Sequence, residues 1–170
     1  MYLDKAKKLL PRFIQLMQEK GITQQYEPCT EETVEQIEQF IGLPLPVAYR
    51  EFLLWVGEEC YFMDEIGMPF YSSEKADLRK DALRILKMNE ATDTLPDDAI
   101  VAFIFDEVTE FAFIRAFEGD NPPVHYFGGM EANGESVITW NWFPTIEDLC
   151  IDRMETIVRQ LYSRHNRLCV

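Results

Sequence analysis

The chain has 170 residues, enough for one domain to bury a core without disulfides or metals, and 47% hydrophobic with 27% charged residues is ordinary for a water-facing globular protein. A formal net charge of −14 argues against nucleic acid or an anionic membrane surface as partner, since phosphates would be repelled and no basic stripe with interleaved aromatics occurs. No apolar run approaches the roughly 20 residues that span a bilayer, and the start MYLDKAKKLLPRF lacks a secretory leader's apolar segment, so a cytoplasmic protein is the expectation.

Leu9, Leu10, Phe13, Ile14 and Met17 recur at helical spacing between residues 3 and 20, and Gly21 stops the run. Pro11 interrupts it, which predicts a kink or a helix restarting there. Lys5, Lys7, Lys8 and Arg12 make this end basic and read as a solvated helix face. Residues 31 to 57, EETVEQIEQFIGLPLPVAYREFLLWVG, then read as two short helices joined by a proline corner. Val34, Ile37, Phe40 and Ile41 form the first apolar stripe, with Thr30 as N-cap and Glu31 and Glu32 at the positive end of the helix dipole. Gly42 stands where a left-handed cap is needed, and Pro44 and Pro46 forbid continuation. Pro46 suits the first turn of the next helix, whose stripe is Tyr49, Phe52, Leu53 and Val56 before Gly57 ends it.

Residues 60 to 73 mix aromatic and turn residues without a clear element, whereas 74 to 89 look helical, with Leu78, Ala82, Ile85 and Leu86 on one face. Thr92 to Asp98 is a polar linker. Ile100–Phe105 and Phe111–Ala116 are β-branched and aromatic runs around the acidic turn Asp106 to Glu110, which predicts a hairpin. After the turn Glu118 to Pro123, short strands are predicted at Val124–Phe127 and Ser136–Trp140. Thr145 and Asp148 resemble a capping box that opens a last helix carrying Ile146, Leu149, Cys150, Ile157, Val158 and Leu161. Helices, a strand meander and a closing helix, with no repeat or linker, predict an α+β single domain over 1–170, its helices packed against an antiparallel β-meander.

Little here invites chemistry. Cys29, Cys60, Cys150 and Cys169 show no paired spacing and, with only His125 and His165 to join them, form no zinc pattern, so reduced thiols are expected. His125, in a predicted strand, reads as a hydrogen-bonded structural residue. Asp106, Glu107 and Glu110 form the densest carboxylate group but lack a calcium-loop pattern, and Gly128-Gly129 has no following lysine for a phosphate loop. No catalytic residue, metal or cofactor is assigned.

The charge is unevenly placed. Residues 88 to 152 hold fourteen acids against one base, Arg115, a net of −13, and the remainder of the chain nets −1. Two readings stand: acids occupying the turns and solvent face of a sheet, or a surface for a basic partner. Tyr126, Phe127, Trp140, Trp142 and Phe143 concentrate aromatics in the same half. Strand alternation turns successive residues to opposite faces, and Asn141 between two tryptophans places one of them at a groove or the surface.

Glu38, Ile41, Gly42, Leu45, Pro46, Tyr49, Arg50, Phe52 and Leu53 form an acidic helix, Ile-Gly, Leu-Pro-x-x-Tyr-Arg-x-Phe-Leu pattern. It resembles the opening of the SMI1/KNR4 (SUKH) family. The hairpin, Pro122-Pro123-Val124 and Thr145–Leu149 continue the likeness, which covers roughly residues 30 to 150; Val56-Gly57-Glu58 departs from the Asn-Gly many members carry. The resemblance implies a non-enzymatic protein-binding domain, similar to the bacterial members that are immunity proteins against toxins, many of them basic nucleases. Asp97, Asp98, Asp106, Glu107 and Glu110 are the electrostatic contacts expected for such a partner, with Trp142 as the aromatic anchor. A regulatory or scaffold role, as in fungal relatives linked to cell-wall glucan synthesis, is the alternative, and an enzyme of unknown type the third.

Overall fold

The computed structural model describes residues 1–23, 26–64, 78–106, 109–128 and 137–165. Helix α1 (Asp4–Glu19) buries Ala6, Leu10, Phe13 and Met17 and is continuous across Pro11, so the restart at that residue does not occur. Pro11 lies on the exposed side, where its missing N–H leaves one solvent-facing carbonyl to water. No side chain of its own caps α1. Glu147, from the far end of the chain, does so instead: its Oε1 accepts from the N–H groups of Lys5 (2.7 Å) and Ala6 (3.4 Å).

The proline corner forms as its residues dictate. Thr30 Oγ1 accepts from the Thr33 N–H at 3.1 Å to open α2 (Glu31–Ile41), and Gly42 closes it at φ +70°, a conformation costly for any residue with a Cβ. Pro46 sits one residue before α3 (Val47–Val56), at its N-cap. Arg50 bridges the pair of helices, with Nη2 2.8 Å from Glu31 and Nη1 3.3 Å from Glu38, and Glu38 also accepts from the Leu45 N–H at 2.9 Å. The Ala48 N–H donates to the carbonyl of Asp120 at 2.8 Å, docking the corner on the strand-rich half.

Three elements went unforeseen. Strands β1 (Tyr26–Glu27) and β2 (Glu59–Cys60) pair antiparallel, and a single helical turn, α4 (Tyr61–Asp64), follows. Helix α5 (Leu78–Met88) covers the later part of the helix expected from 74; residues 74 to 77 lie outside the described ones. The meander is then β3 (Ala99–Asp106), β4 (Glu110–Arg115), β5 (Val124–Phe127) and β6 (Ile138–Phe143), antiparallel and in sequence order, before α6 (Ile146–His165). Thr145 caps α6 by accepting from the Asp148 N–H at 3.2 Å.

Both faces of this sheet are covered, and the alternation of the strands says by what. Ala112, Ile114 and Val124 face a core built with α1, α2, α3, α4 and α6. Phe111, Phe113 and Phe127 face a second core with Ala82, Ile85 and Leu86 of α5. Three irregularities break the count, one of them between Ile104 and Asp106 at the end of β3. In β3 the register shifts between Val101 and Phe103, so Ala102 and Phe103, adjacent in sequence, both join the first core. In β6 the irregularity falls around Asn141, which has φ +54°.

Candidate protein-binding surface

A chain of polar contacts crosses the sheet at one end. Asp98 Oδ1 accepts from Arg115 Nε at 2.9 Å, and Arg115 Nη1 lies 3.2 Å from Glu118 Oε1. Glu118 Oε2 meets His125 Nε2 at 3.0 Å, and His125 Nδ1 accepts the Asn141 backbone N–H at 3.0 Å. A ring nitrogen accepting from a backbone N–H carries no proton, so the neutral His125 holds its hydrogen on Nε2 and donates it to Glu118. Three strands, the turn before β3 and the turn after β4 are thereby joined through side chains. The Asp98 hydrogen bond, ahead of every other influence, raises the Arg115 pKa and keeps the guanidinium charged.

The relay ends under an indole. Trp140 meets the His125 ring edge-on at 4.9 Å and Phe113 at 5.8 Å, yet 46% of it remains exposed. Phe117, beside Glu118 in the turn after β4, is 71% exposed. Both belong to the acidic half of the chain, with Glu118 and the exposed Asp120 next to Phe117 in sequence.

Trp142, the expected aromatic anchor, is less exposed than Trp140. Two residues along a regular strand would put Trp142 on the face of Trp140. Asn141 turns the chain, so Trp142 stacks on Tyr126 at 4.4 Å and packs against Phe105 and the first core, half-buried. The exposed tryptophan is Trp140.

The six residues singled out from sequence do not gather into one site. Asp97 is exposed just before β3, whereas Asp106 and Glu110 pair through their backbones at the opposite end of the hairpin. A strand of eight residues separates those ends by roughly 20 Å. Asp98 is buried at 8% exposure and serves Arg115, so it is an internal counter-charge and no surface contact; among the described residues its Oδ2 has no partner. Glu110 accepts from the Tyr126 hydroxyl; burial first, and that bond second, push the Tyr126 pKa well above its usual value, so the phenol stays a neutral donor. Glu107 lies outside the described residues. Gly128 is fixed by the same tyrosine, since a Cβ there would overlap the Tyr126 ring.

Buried reduced thiols are found at Cys29, Cys60 and Cys150, and among the described residues no three His, Cys, Asp or Glu side chains gather as metal ligands. No described helix is long and apolar enough to cross a membrane. Compared with protein-family models, residues 28–146 match that of the SMI1 / KNR4 family (SUKH-1). The chain belongs to the SMI1/KNR4 family. Comparison with curated proteins and with solved structures returned no match. The SMI1/KNR4 motif residues Glu38, Arg50, Gly42 and Tyr49 all act within the fold: the first two clamp the corner, Gly42 caps α2, and Tyr49 is fully buried. Burial raises the Tyr49 pKa far enough that its hydroxyl never ionises in use. SMI1/KNR4 membership favours protein binding over catalysis.

Proposed function

We propose that this SMI1/KNR4 protein is an immunity protein, which binds and neutralises a basic, nuclease-type toxin domain through its acidic half. The observation that carries this is Trp140: a large aromatic held on His125 and Phe113, exposed, in a segment whose net charge is −13. Binding energy concentrates on rigid aromatic anchors ringed by polar groups. Carboxylates around such an anchor accelerate encounter with a cationic surface, toward roughly 10⁸ M⁻¹s⁻¹ at low salt. Phe117 is the second anchor, and Asp97 and Asp120 supply charge at that end of the sheet, with Glu110 at the other.

The test pairs the protein with a basic toxin domain encoded beside its gene. Co-expression restores growth, and the on-rate falls steeply as salt shortens the Debye length to about 8 Å. Trp140→Ala weakens the complex by about 2 kcal/mol, roughly thirtyfold. A complex indifferent to both salt and Trp140 would move the interface elsewhere; failure to protect the cell would remove the immunity role.

A further inference from the structure

Between the pairs Tyr126↔Thr139 and Val124↔Phe143 the β5–β6 ladder skips, so His125 alone stands across from Trp140, Asn141 and Trp142. The Asn141 N–H, with no register partner opposite, donates to His125 Nδ1 instead. Strand β6 is an edge strand, and Thr139, Trp140 and Asn141 are exposed along it. The peptide that joins Trp140 to Asn141 can therefore turn about its own axis without breaking a pair of the ladder.

The imidazole, by contrast, is fixed. It is 1% exposed, with Phe113 of β4 at 5.0 Å and Trp140 of β6 at 4.9 Å from its ring centre. Among the described residues the charged side chain bonded to it is Glu118, from the turn after β4, at 3.0 Å. Behind Glu118 stand Arg115 of β4 at 3.2 Å and, beyond it, Asp98 from the turn before β3. What β6 presents to the ring, Trp140 and Asn141, is uncharged. Glu118 is thus the counter-charge that a buried imidazolium requires.

One proton decides which way the peptide faces. In neutral His125 the Nδ1 lone pair receives the Asn141 N–H. A proton added there from solvent makes both ring nitrogens donors, and two N–H groups then confront each other across 3.0 Å. A half-turn of the planar trans peptide exchanges that N–H for the Trp140 carbonyl, which accepts from the new Nδ1–H while the Asn141 N–H turns to water. The same rotation carries the φ of Asn141 from +54° into the negative range open to every residue.

We propose that His125 and the Trp140–Asn141 peptide form a proton-operated switch, in which protonation at Nδ1 flips the peptide and resets the pose of the exposed Trp140. Each charge state of the ring has one peptide orientation that satisfies it, which makes the element two-state. Trp140 is the readout because its own carbonyl turns and its indole rests on the ring that gains charge. The switch acts whatever partner Trp140 meets and does not rest on the immunity reading.

The test is an NMR titration of the full chain, labelled with ¹³C and ¹⁵N, from about pH 8 to about pH 4, where histidine can change charge. Imidazole nitrogen shifts report Nδ1 gaining its proton. With the same midpoint the Asn141 amide moves upfield and loses about tenfold of its exchange protection. Its coupling to Hα rises toward that of an extended residue, and the Trp140 indole N–H shifts. His125→Gln can still accept from Asn141 and donate to Glu118 but cannot titrate, so it holds both signals constant; should it not fold, the parent titration decides alone. An Nδ1 that stays unprotonated until the chain unfolds, a protonated His125 with an unchanged Asn141 coupling, or the same transition in His125→Gln would each overturn the switch.

Discussion

Asn141 is held in the left-handed region at φ +54° by one hydrogen bond, its N–H to His125 Nδ1. Replacing His125, 1% exposed, by leucine strands that N–H and takes one of the two partners of Glu118, leaving it Arg115, and costs about 1–2 kcal/mol by urea unfolding. Asn141→Gly stays within about 0.5 kcal/mol of the parent, since glycine adopts positive φ freely, whereas Asn141→Val costs about 1–2 kcal/mol. Equal losses in both Asn141 variants would show that the kink is set by something other than backbone conformation. His125 was legible as a structural residue because a lone histidine among apolar strand residues needs partners. Its partners were not, because Glu118 and Asn141 lie on either side of it at sequence distances no local pattern encodes. That Trp140 is more exposed than Trp142 was not legible for a related reason: alternation counts residues, and the left-handed Asn141 breaks that count.

Caps written locally were legible in the sequence and the one supplied from afar was not, although α1 itself was read over residues 3 to 20. The caps of α2 and α6 come from Thr30, Gly42 and Thr145, each within a turn of the helix it closes. The start of α1 takes its cap from Glu147, 142 residues away from Lys5. Glu147→Ala therefore costs about 1 kcal/mol, the value of an ordinary N-cap. Hydrogen exchange separates this from a general loss: the first-turn amides of α1 exchange faster, while those in the middle of α6 do not. Uniform acceleration would mean that Glu147 acts through α6 alone. Strands β1 and β2 escaped sequence reading on the same principle, being two residues each and defined only by one another across the α2–α3 corner.

For the molecule as a whole, acid enters through the N-terminal anchor. Glu51 accepts from the Tyr2 N–H at 2.8 Å and pairs with Lys7 at 2.8 Å. Burial alone would raise its pKa; the hydrogen bonds from Lys7 and Tyr2 outweigh it and hold the carboxyl below its usual 4.5. A carboxylate whose folded pKa is lowered adds stability above the unfolded value and loses it as pH falls through the folded one. Glu51→Gln should thus be less stable than the parent by about 1 kcal/mol at pH 7, with the gap closing below about pH 4. Comparing the two chains at each pH cancels the −14 background, whose self-repulsion also relaxes on acidification. A gap that stayed constant down to pH 3 would mean the carboxylate charge is immaterial.

The irregularities in β3 and β6 have a consequence for how such chains diverge. The shift after Val101 is a one-residue offset and that in β6 a two-residue one, and the aromatics beyond them fall on the side of α6. Deleting Ala102 would restore regular alternation from Val101 to Phe105 and leave Phe103 and Phe105 on their present side, and deleting Asn141 would likewise let Trp140 and Trp142 alternate to the sides they already occupy. A single-residue gap at either position in an alignment therefore spares both cores, whereas one inside β4, whose pairing with β5 is regular, would carry a whole side of the sheet with it.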